Sequence, residues 1–237
     1  MNATKTLVVL ANSFKHHPST CIAGREVTDR GGHYEIGPWI RPVSTHDEGG
    51  LYPSESQLTN GRSPVVFDFV QIELTKSTNE ATQPENWLIA SNSKWKCLTP
   101  KYEIPGMNLL VEAPQDLWLE KAQTSDRISA TAINVRPPKQ SLFLIPLKSV
   151  TIQFGWRQWD AEYKQRRRAL FAYKNKDYDL GITDSAFLDR YRSEFPPRSQ
   201  STKEFKIGGV AGCFLVVSLA PAFNGFHFKV VATIIEV

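Results

Sequence analysis

The apolar residues of this 237-residue chain fall mostly in short runs that are rich in Val, Ile and Phe and end at turn-forming residues. Runs of this kind are typical of the strands of an all-β protein, whereas alternating β and α segments would add longer stretches with a helical period. The pattern predicts strands at Thr6–Ala11, Cys21–Arg25, Trp39–Ser44, Val65–Leu74, Trp87–Ala90, Ser141–Ile145, Ser149–Phe154, Arg168–Tyr173, Tyr178–Thr183, Cys213–Leu219 and Phe226–Ile235.

Helical patterns are scarce and short. One candidate is Pro114–Gln123. In the other, Asp184–Phe195, the Asp184 side chain can cap the first turn and apolar side chains recur on one face. The sequence therefore predicts a mostly β fold with one or two short helices.

The proline-containing segment Arg136–Lys139 divides the chain into two parts of similar strand content. We therefore predict two domains, residues 1–136 and residues 140–237. Their strands are joined by long polar loops, such as Pro53–Pro64 and Thr75–Pro84. Parts of this kind suit small, partly open barrels such as the OB-fold, which commonly binds oligonucleotides. The two halves share no sequence repeat, so if they resemble each other, they do so in fold and not in sequence.

The positive charge of the chain lies in its second half. The formal net charge is +4; residues 1–140 contain 14 Lys and Arg against 15 Asp and Glu, which gives −1, and residues 141–237 contain 14 against 9, which gives +5. Contacts with an acidic partner are therefore expected mainly in the second half.

The segment from Trp156 to Tyr178 interleaves six aromatic residues with seven basic ones. Cations neutralise phosphates, and flat rings stack on unpaired bases for about 1–3 kcal/mol per base. The pattern predicts a nucleic-acid-binding surface; the alternative is a solvated arginine edge beside core rings. The candidate contacts are Trp156, Arg157, Trp159, Arg166, Arg167, Arg168, Tyr173, Lys174 and Lys176.

Trp39 and Arg41 extend this set into the first half, because they share one face of the predicted strand Trp39–Ser44. A ring beside a guanidinium can stack on a base and reach a phosphate. Prolines at both ends of the segment suit an edge strand that faces a groove. The alternative, of equal weight, is a core Trp beside an Arg that forms a surface salt bridge.

Asp68 shares the apolar face of the predicted strand Val65–Leu74. A carboxylate left unpaired in a core is too costly, so we expect it to meet a cation, to be protonated or to mark a bulge. An ion pair with an arginine such as Arg41 is the simplest of these arrangements. A nuclease-like acid cluster is much less favoured, because Glu73 and Lys76 match no familiar metal-nuclease pattern.

No catalytic signature is evident: the chain lacks a Walker loop, a dinucleotide fingerprint and a His-Glu-x-x-His motif. A few side chains could in principle form a metal site or a triad, but the spacing supports neither; they are His16, His17 and Cys21, and Ser13, Ser44 and His46. We therefore expect a protein that is not an enzyme and that uses no metal or cofactor.

The three cysteines, Cys21, Cys97 and Cys213, are far apart and odd in number, which argues against a disulfide framework and fits a reducing cytoplasm. The longest apolar region, Ile207–Ala222, is interrupted by glycines and Pro221 and is shorter than the roughly 20 residues of a membrane helix. No membrane partner is expected.

Several stretches together resemble a bacterial family described as a dual OB-containing domain. They are Lys5–Ser13 (KTLVVLANS), Cys21–Gly24 (CIAG), Trp39–Ser44 (WIRPVS), Gln83–Asn86 (QPEN), Tyr178–Asp184 (YDLGITD) and Lys229–Ile235 (KVVATII). The resemblance spans the chain and implies two OB-like barrels and a nucleic-acid-binding role. It implies no established reaction.

We therefore predict a nucleic-acid-binding protein that contacts single-stranded or distorted DNA or RNA through charge and stacking. One alternative is a sensor of a nucleotide or modified base, with a pocket between the barrels lined by Glu85, Asn86, Thr183 and Asp184. Another is a non-catalytic interaction subunit of a larger defence or processing assembly, with its arginine run facing an acidic protein partner.

Overall fold

The computed structural model describes residues 2–15, 18–46, 49–91, 93–103, 106–118, 126–159, 162–199 and 202–237, with residue 159 described for its backbone alone. Within these ranges the chain forms twelve β-strands and four short helices. They are β1 (Ala3–Phe14), β2 (Thr20–Asp29), β3 (Tyr34–Val43), α1 (Pro53–Ser56), β4 (Phe69–Ser77), β5 (Asn86–Ile89), β6 (Lys96–Cys97), α2 (Met107–Leu110), β7 (Arg127–Ser129), α3 (Ala130–Val135), β8 (Leu142–Trp159), β9 (Glu162–Tyr173), β10 (Lys176–Ile182), α4 (Ser185–Arg190), β11 (Thr202–Phe223) and β12 (Phe226–Glu236).

The chain divides into two compact units, Met1–Val111 with Pro137–Leu142, and Glu112–Arg136 with Phe143–Val237. In the first unit the strands follow the order β1-β2-β3-β5-β4, and β4 pairs back with β1 to close a five-stranded ring. The pair β3–β5 is parallel, and the other pairs of the ring are antiparallel. This is the connectivity of an OB-fold barrel.

The second unit repeats this arrangement with different residues. Its strands follow the order β8-β9-β10-β12-β11, and β10 and β12 are the parallel pair. In each ring a helix lies in the chain between the third and fourth strands, α1 in the first barrel and α4 in the second. The predicted fold, mostly β with two OB-like barrels, is therefore confirmed.

The apolar runs of the sequence fill the interior of each barrel. In the first barrel, the core contains Leu7, Val9, Ile22, Ile40, Leu51, Leu58, Val70, Ile72, Leu74 and Trp95. In the second barrel, inward positions on every strand are buried, among them Ile152, Ala169, Leu180, Leu215 and Val231. Phe154 stacks on Phe195, with ring centroids 4.1 Å apart, at one end of this core.

The division into units differs from the predicted boundary after residue 136. Residues 112–136 pack with the second barrel, where Glu112 and Leu144 exchange hydrogen bonds and β7 pairs with the start of β12. Residues 137–142 pack with the first barrel, where Glu85 accepts hydrogen bonds from Ser141. The prolines mark a change of unit, but short-range composition does not reveal that the chain changes unit three times.

Two predicted strands, Ser141–Ile145 and Ser149–Phe154, are parts of the single strand β8. Pro146 lies between them, which is why the pattern looked interrupted. Two further predicted strands are longer in the structure: the segments at Arg168 and Cys213 extend back to Glu162 and Thr202.

The helix predicted at Asp184–Phe195 is present as α4 followed by a short 3-10 turn at Arg192–Glu194. Asp184 caps it as expected, because its carboxylate accepts a hydrogen bond of 3.0 Å from the Phe187 amide. The other candidate, Pro114–Gln123, is not helical at residues 114–118, and residues 119–123 lie outside the described part of the chain.

Among the residues that the structure describes, no helix has the length and apolar character required to cross a membrane.

Candidate nucleic-acid interface

The segment Trp156–Tyr178 occupies the end of β8, all of β9 and the start of β10. Strands β9 and β10 are the second and third strands of their OB ring, and in OB-folds the face of these two strands commonly binds oligonucleotides. Since neighbouring residues of a strand point to opposite sides, the register of β8 with β9 decides which cations share a face.

The outer face of this hairpin carries a cluster of cations. Arg157 lies directly opposite Lys164, and Gly155 lies opposite Arg166. Arg157 and Lys164 are both exposed, and Arg166 is partly exposed. We call Arg157, Lys164 and Arg166 the basic hairpin. Lys164 was not among the predicted contacts, although its position opposite Arg157 makes it part of the same surface.

Arg166 and Arg168 are already engaged by carboxylates. Asp179 on β10 accepts a hydrogen bond of 2.5 Å from Arg168 Nε and one of 3.3 Å from Arg166. Arg168 also lies 3.5 Å from Asp126, just before β7. These predicted phosphate contacts are therefore partly neutralised, and the sequence did not reveal it because Asp126 is 42 positions from Arg168 along the chain.

Arg167 belongs to the opposite face of β9. Its cross-strand neighbour is the buried Phe154, and burial lowers the pKa of its guanidinium from the ordinary value. The three consecutive arginines thus do not form one continuous cationic surface. The strand alternation places Arg166 and Arg168 outside and Arg167 against the core side.

Trp156 is half-buried on the side of Arg167. Its indole Nε1 donates a hydrogen bond of 2.7 Å to the carbonyl of Pro196, and the guanidinium of Arg198 lies 5.0 Å from the ring centroid. One face of this ring is therefore covered by Arg198. The side chain of the predicted contact Trp159 lies outside the described part of the structure.

The β9–β10 turn presents two of the predicted lysines. Lys174 and Asn175 have positive φ angles of 48° and 62°, as a tight hairpin turn requires, and Lys174 and Lys176 are exposed. Tyr173 is instead buried, and its hydroxyl donates a hydrogen bond of 2.8 Å to the carbonyl of Pro114. Burial, with a smaller effect from Glu112, raises its pKa.

Trp39 and Arg41 are both buried in the first barrel, each with 4% of its surface exposed. Arg41 lies 3.1 Å from Glu85 and donates to Asn86 and Ser141 at 3.2 and 3.0 Å. The structure thus gives both side chains positions in the interior. This arrangement corrects the picture of an open groove, because neither side chain can reach a base or a phosphate from there.

The polar residues predicted to bind a small ligand form hydrogen bonds or ion pairs within their own barrels. Glu85 and Asn86 hold Arg41 in the first barrel, and both are buried. In the second barrel, Thr183 donates to the Val231 carbonyl, and the buried Asp184 accepts from backbone amides of α4 and β12. Burial raises the Asp184 pKa, although these hydrogen bonds oppose the shift.

Asp68 has a cationic partner, but that partner is Arg62 and not Arg41. The two oxygens of Asp68 lie 2.5 and 2.8 Å from Arg62, and the Val65 amide donates to the same carboxylate. Asp68 also precedes β4 instead of lying within it, because Phe67 adopts a positive φ of 72° and turns the chain.

No group of three or more His, Cys, Asp and Glu side chains within the described ranges is arranged to hold a metal ion. Of the candidate ligands, Cys21 lies at the start of β2, and His16 and His17 lie outside those ranges.

The family-like motifs meet in pairs at equivalent places in the two barrels. Arg41 of WIRPVS contacts Glu85 and Asn86 of QPEN across the parallel pair β3–β5. Asp184 of YDLGITD accepts from Ile234 of KVVATII near the parallel pair β10–β12. These motifs thus stabilise the junction of the third and fifth strands in each ring.

Comparison with known proteins agrees with this architecture. No curated protein matches the chain. Among solved structures, a murine DNA-binding protein bound to double-stranded DNA aligns over 100% of both chains, with 7% identity and a TM-score of 0.28, a similarity too low to support an argument. The family described as "Dual OB-containing domain" matches residues 5–234, and the chain therefore belongs to the dual OB-containing domain family.

Proposed function

We propose that this protein binds nucleic acid, preferentially single-stranded or distorted, through the basic hairpin of the second barrel, and that it binds without catalysing a reaction. The observation that carries the proposal is the direct opposition of Arg157 and Lys164 on the outer face. Both side chains are exposed, so one phosphate group of a nucleic acid can approach both of them.

The position of this pair in the fold supports the same function. Lys164 and Arg166 lie on β9, one of the two strands of the OB ring that commonly contact oligonucleotides, and Lys174 and Lys176 add exposed positive charge at the turn to β10.

Exposed rings on the same hairpin favour an unpaired strand over a regular duplex. Tyr163 is 49% exposed and Trp156 is partly exposed, both on the face of the hairpin opposite to Arg157 and Lys164, so a strand that contacts rings and cations together must pass the edge or tip of the hairpin. Rings can stack on bases only where the base faces are accessible, which they are in single strands, ends and distorted duplexes. The contribution of phosphates should dominate the affinity, so binding should weaken steeply with salt.

The proposal is tested by fluorescence anisotropy of the full chain with labelled unstructured oligonucleotides and with a duplex of the same sequence. We expect binding at low salt, a linear fall of log affinity with log salt, and tighter binding of the single strand. Absence of binding at low salt would contradict the proposed function. Tighter binding of the regular duplex would contradict the preference for unpaired strands.

A further inference from the structure

A second aromatic group lies on the outer face of the second barrel, outside the segment discussed above. Phe223 at the end of β11 is the cross-strand neighbour of Phe226 on β12, and Phe228 projects to the same side as Phe226. Phe223 has 63% of its surface exposed, and the other two rings are half-buried. We call Phe223, Phe226 and Phe228 the phenylalanine platform.

Arg127 of β7 fixes one side of this platform. It lies opposite Phe228, and its guanidinium carbon is 5.4 Å from the Phe228 centroid and 5.7 Å from the Phe226 centroid. These distances are those of cation–π contacts. Phe223 is the most exposed ring of the three, and it provides an accessible apolar surface on the other side of β12 from Arg127.

The backbone holds Phe223 in a defined position. The turn that follows it, Asn224–Gly225, has positive φ angles of 48° and 81°, which is the geometry of a tight hairpin turn. This turn joins the fourth and fifth strands of the ring, and loops at this place contribute to ligand binding in OB-folds. A ring presented from a tight turn loses little conformational entropy when it stacks on a ligand.

A row of alternating charges connects the platform with the basic hairpin. Asp179 lies between Arg166 and Arg168, at 3.3 and 2.5 Å. Asp126 lies between Arg168 and Arg127, at 3.5 and 3.1 Å. The two surfaces therefore belong to one continuous outer face, with cations at both ends and an accessible ring beyond Arg127.

We propose that the phenylalanine platform is a base-stacking site for the same single strand whose phosphates contact the basic hairpin. This inference rests on the proposed function and adds to it a second contact region with different chemistry. The occupant follows from the surroundings: an accessible ring on a face that also carries guanidinium groups suits a planar base, and the exposed cations of the basic hairpin on the same face suit the phosphates that join one base to the next.

The test compares two ligands, an unstructured oligonucleotide and an abasic sugar-phosphate chain of equal length. The variants are Phe223→Ala, Phe223→Tyr, which keeps a ring, and the control Val210→Ala, which removes another exposed apolar side chain from the same strand. Because Phe223 is exposed, its replacement should leave the protein folded, and thermal unfolding of each variant verifies this.

We expect Phe223→Ala to bind the oligonucleotide at least about fivefold more weakly, with the same salt slope, and the abasic chain as wild type does. Phe223→Tyr and Val210→Ala should resemble wild type with both ligands. Equal affinities of Phe223→Ala and wild type for the oligonucleotide overturn the stacking site while leaving the proposed function intact. If Phe223→Ala loses affinity equally for the oligonucleotide and the abasic chain, the stacking site is overturned as well. If wild type binds neither ligand, both the stacking site and the proposed function fail.

Discussion

Arg41 and Glu85 form an ion pair of 3.1 Å in the interior of the first barrel, and the two side chains are 5% and 3% exposed. Asn86 and Ser141 also accept hydrogen bonds from the guanidinium. The pair joins β3 to the residue just before β5, so it reinforces the parallel strand pair β3–β5 of the ring.

Replacing Arg41 with alanine should therefore lower stability. Removal of one partner leaves the Glu85 carboxylate buried without its cation, and such changes commonly cost about 3–5 kcal/mol. Urea unfolding measures the loss. The matched control is Arg30→Ala, which breaks the exposed pair Arg30–Glu35 and should change stability little. Equal stability of Arg41→Ala and wild type would contradict the structural role.

The partner of Arg41 illustrates what the sequence could not provide. The alternation of residues in WIRPVS correctly indicates a strand, but Glu85 lies 44 positions away and joins Arg41 only through the parallel pairing of β3 with β5. The same limit applies to Trp39, whose burial depends on how the ring closes. Local pattern therefore predicted the strands well and misjudged which polar and aromatic side chains are accessible.

Trp39→Ala should affect the fold more than binding. The ring is buried, and replacing a buried Trp with Ala commonly costs about 3–5 kcal/mol because of the lost burial and the cavity left behind. Chemical denaturation should show this loss, and the folded fraction should bind oligonucleotide with wild-type affinity. A weaker affinity of fully folded Trp39→Ala protein would instead favour the stacking role first predicted for this residue.

The Asp68–Arg62 pair should make stability depend on pH in the acidic range. Burial alone would raise the Asp68 pKa, but the hydrogen bonds from Arg62 and Val65 outweigh it and lower the pKa. The ion pair therefore contributes to the stability of the fold above the unfolded Asp68 pKa of about 3.9, and this contribution is lost as the pH falls through the lower pKa of the folded state. Because Arg62 is 41% exposed, we expect the pair to contribute about 1 kcal/mol to the free energy of unfolding.

Asp68→Asn should accordingly unfold at lower urea concentration than wild type at pH 7, and the difference should shrink as the pH falls below the unfolded pKa and the wild-type carboxylate becomes protonated. Glu103→Gln, at an exposed position of the same barrel, serves as the control. A difference between Asp68→Asn and wild type that stays constant from pH 7 to pH 2 would show that the ion pair is not its source.

Cys213 should be unreactive in the folded protein. Its thiol is buried, and burial, with a smaller effect from Glu236, raises its pKa to about 11. The thiolate is the reactive form, so iodoacetamide at pH 8 should label the exposed Cys97 and spare Cys213 until denaturant is added. Mass spectrometry of peptides locates the label, with Cys97→Ser as the reference. Comparable labelling of both residues in the native protein would contradict the burial of Cys213.

Strand register also changes the expected effect of the arginine run. On the sequence alone, replacing Arg166, Arg167 and Arg168 with alanine would remove three of the candidate phosphate contacts. In the structure, Arg167 packs against the core side and Arg168 binds Asp179, so the triple variant would disturb folding as well as binding. A sequence shows that neighbouring residues of β9 point to opposite faces, but which of them point outward becomes clear only from the pairing with β8.

The sharper variant is the double replacement Arg157→Ala and Lys164→Ala on the outer face of the basic hairpin. Each phosphate contact with a single strand contributes about 0.7 to the slope of log affinity against log salt, so the slope should fall by up to about 1.4. Anisotropy titrations between low and moderate salt measure it. Lys94→Ala with Lys96→Ala removes the same charge from exposed positions of the first barrel and should leave the slope near that of wild type. If both double variants lower the slope equally, binding follows net charge and the basic hairpin is not the interface; if neither lowers it, the phosphates bind elsewhere on the protein.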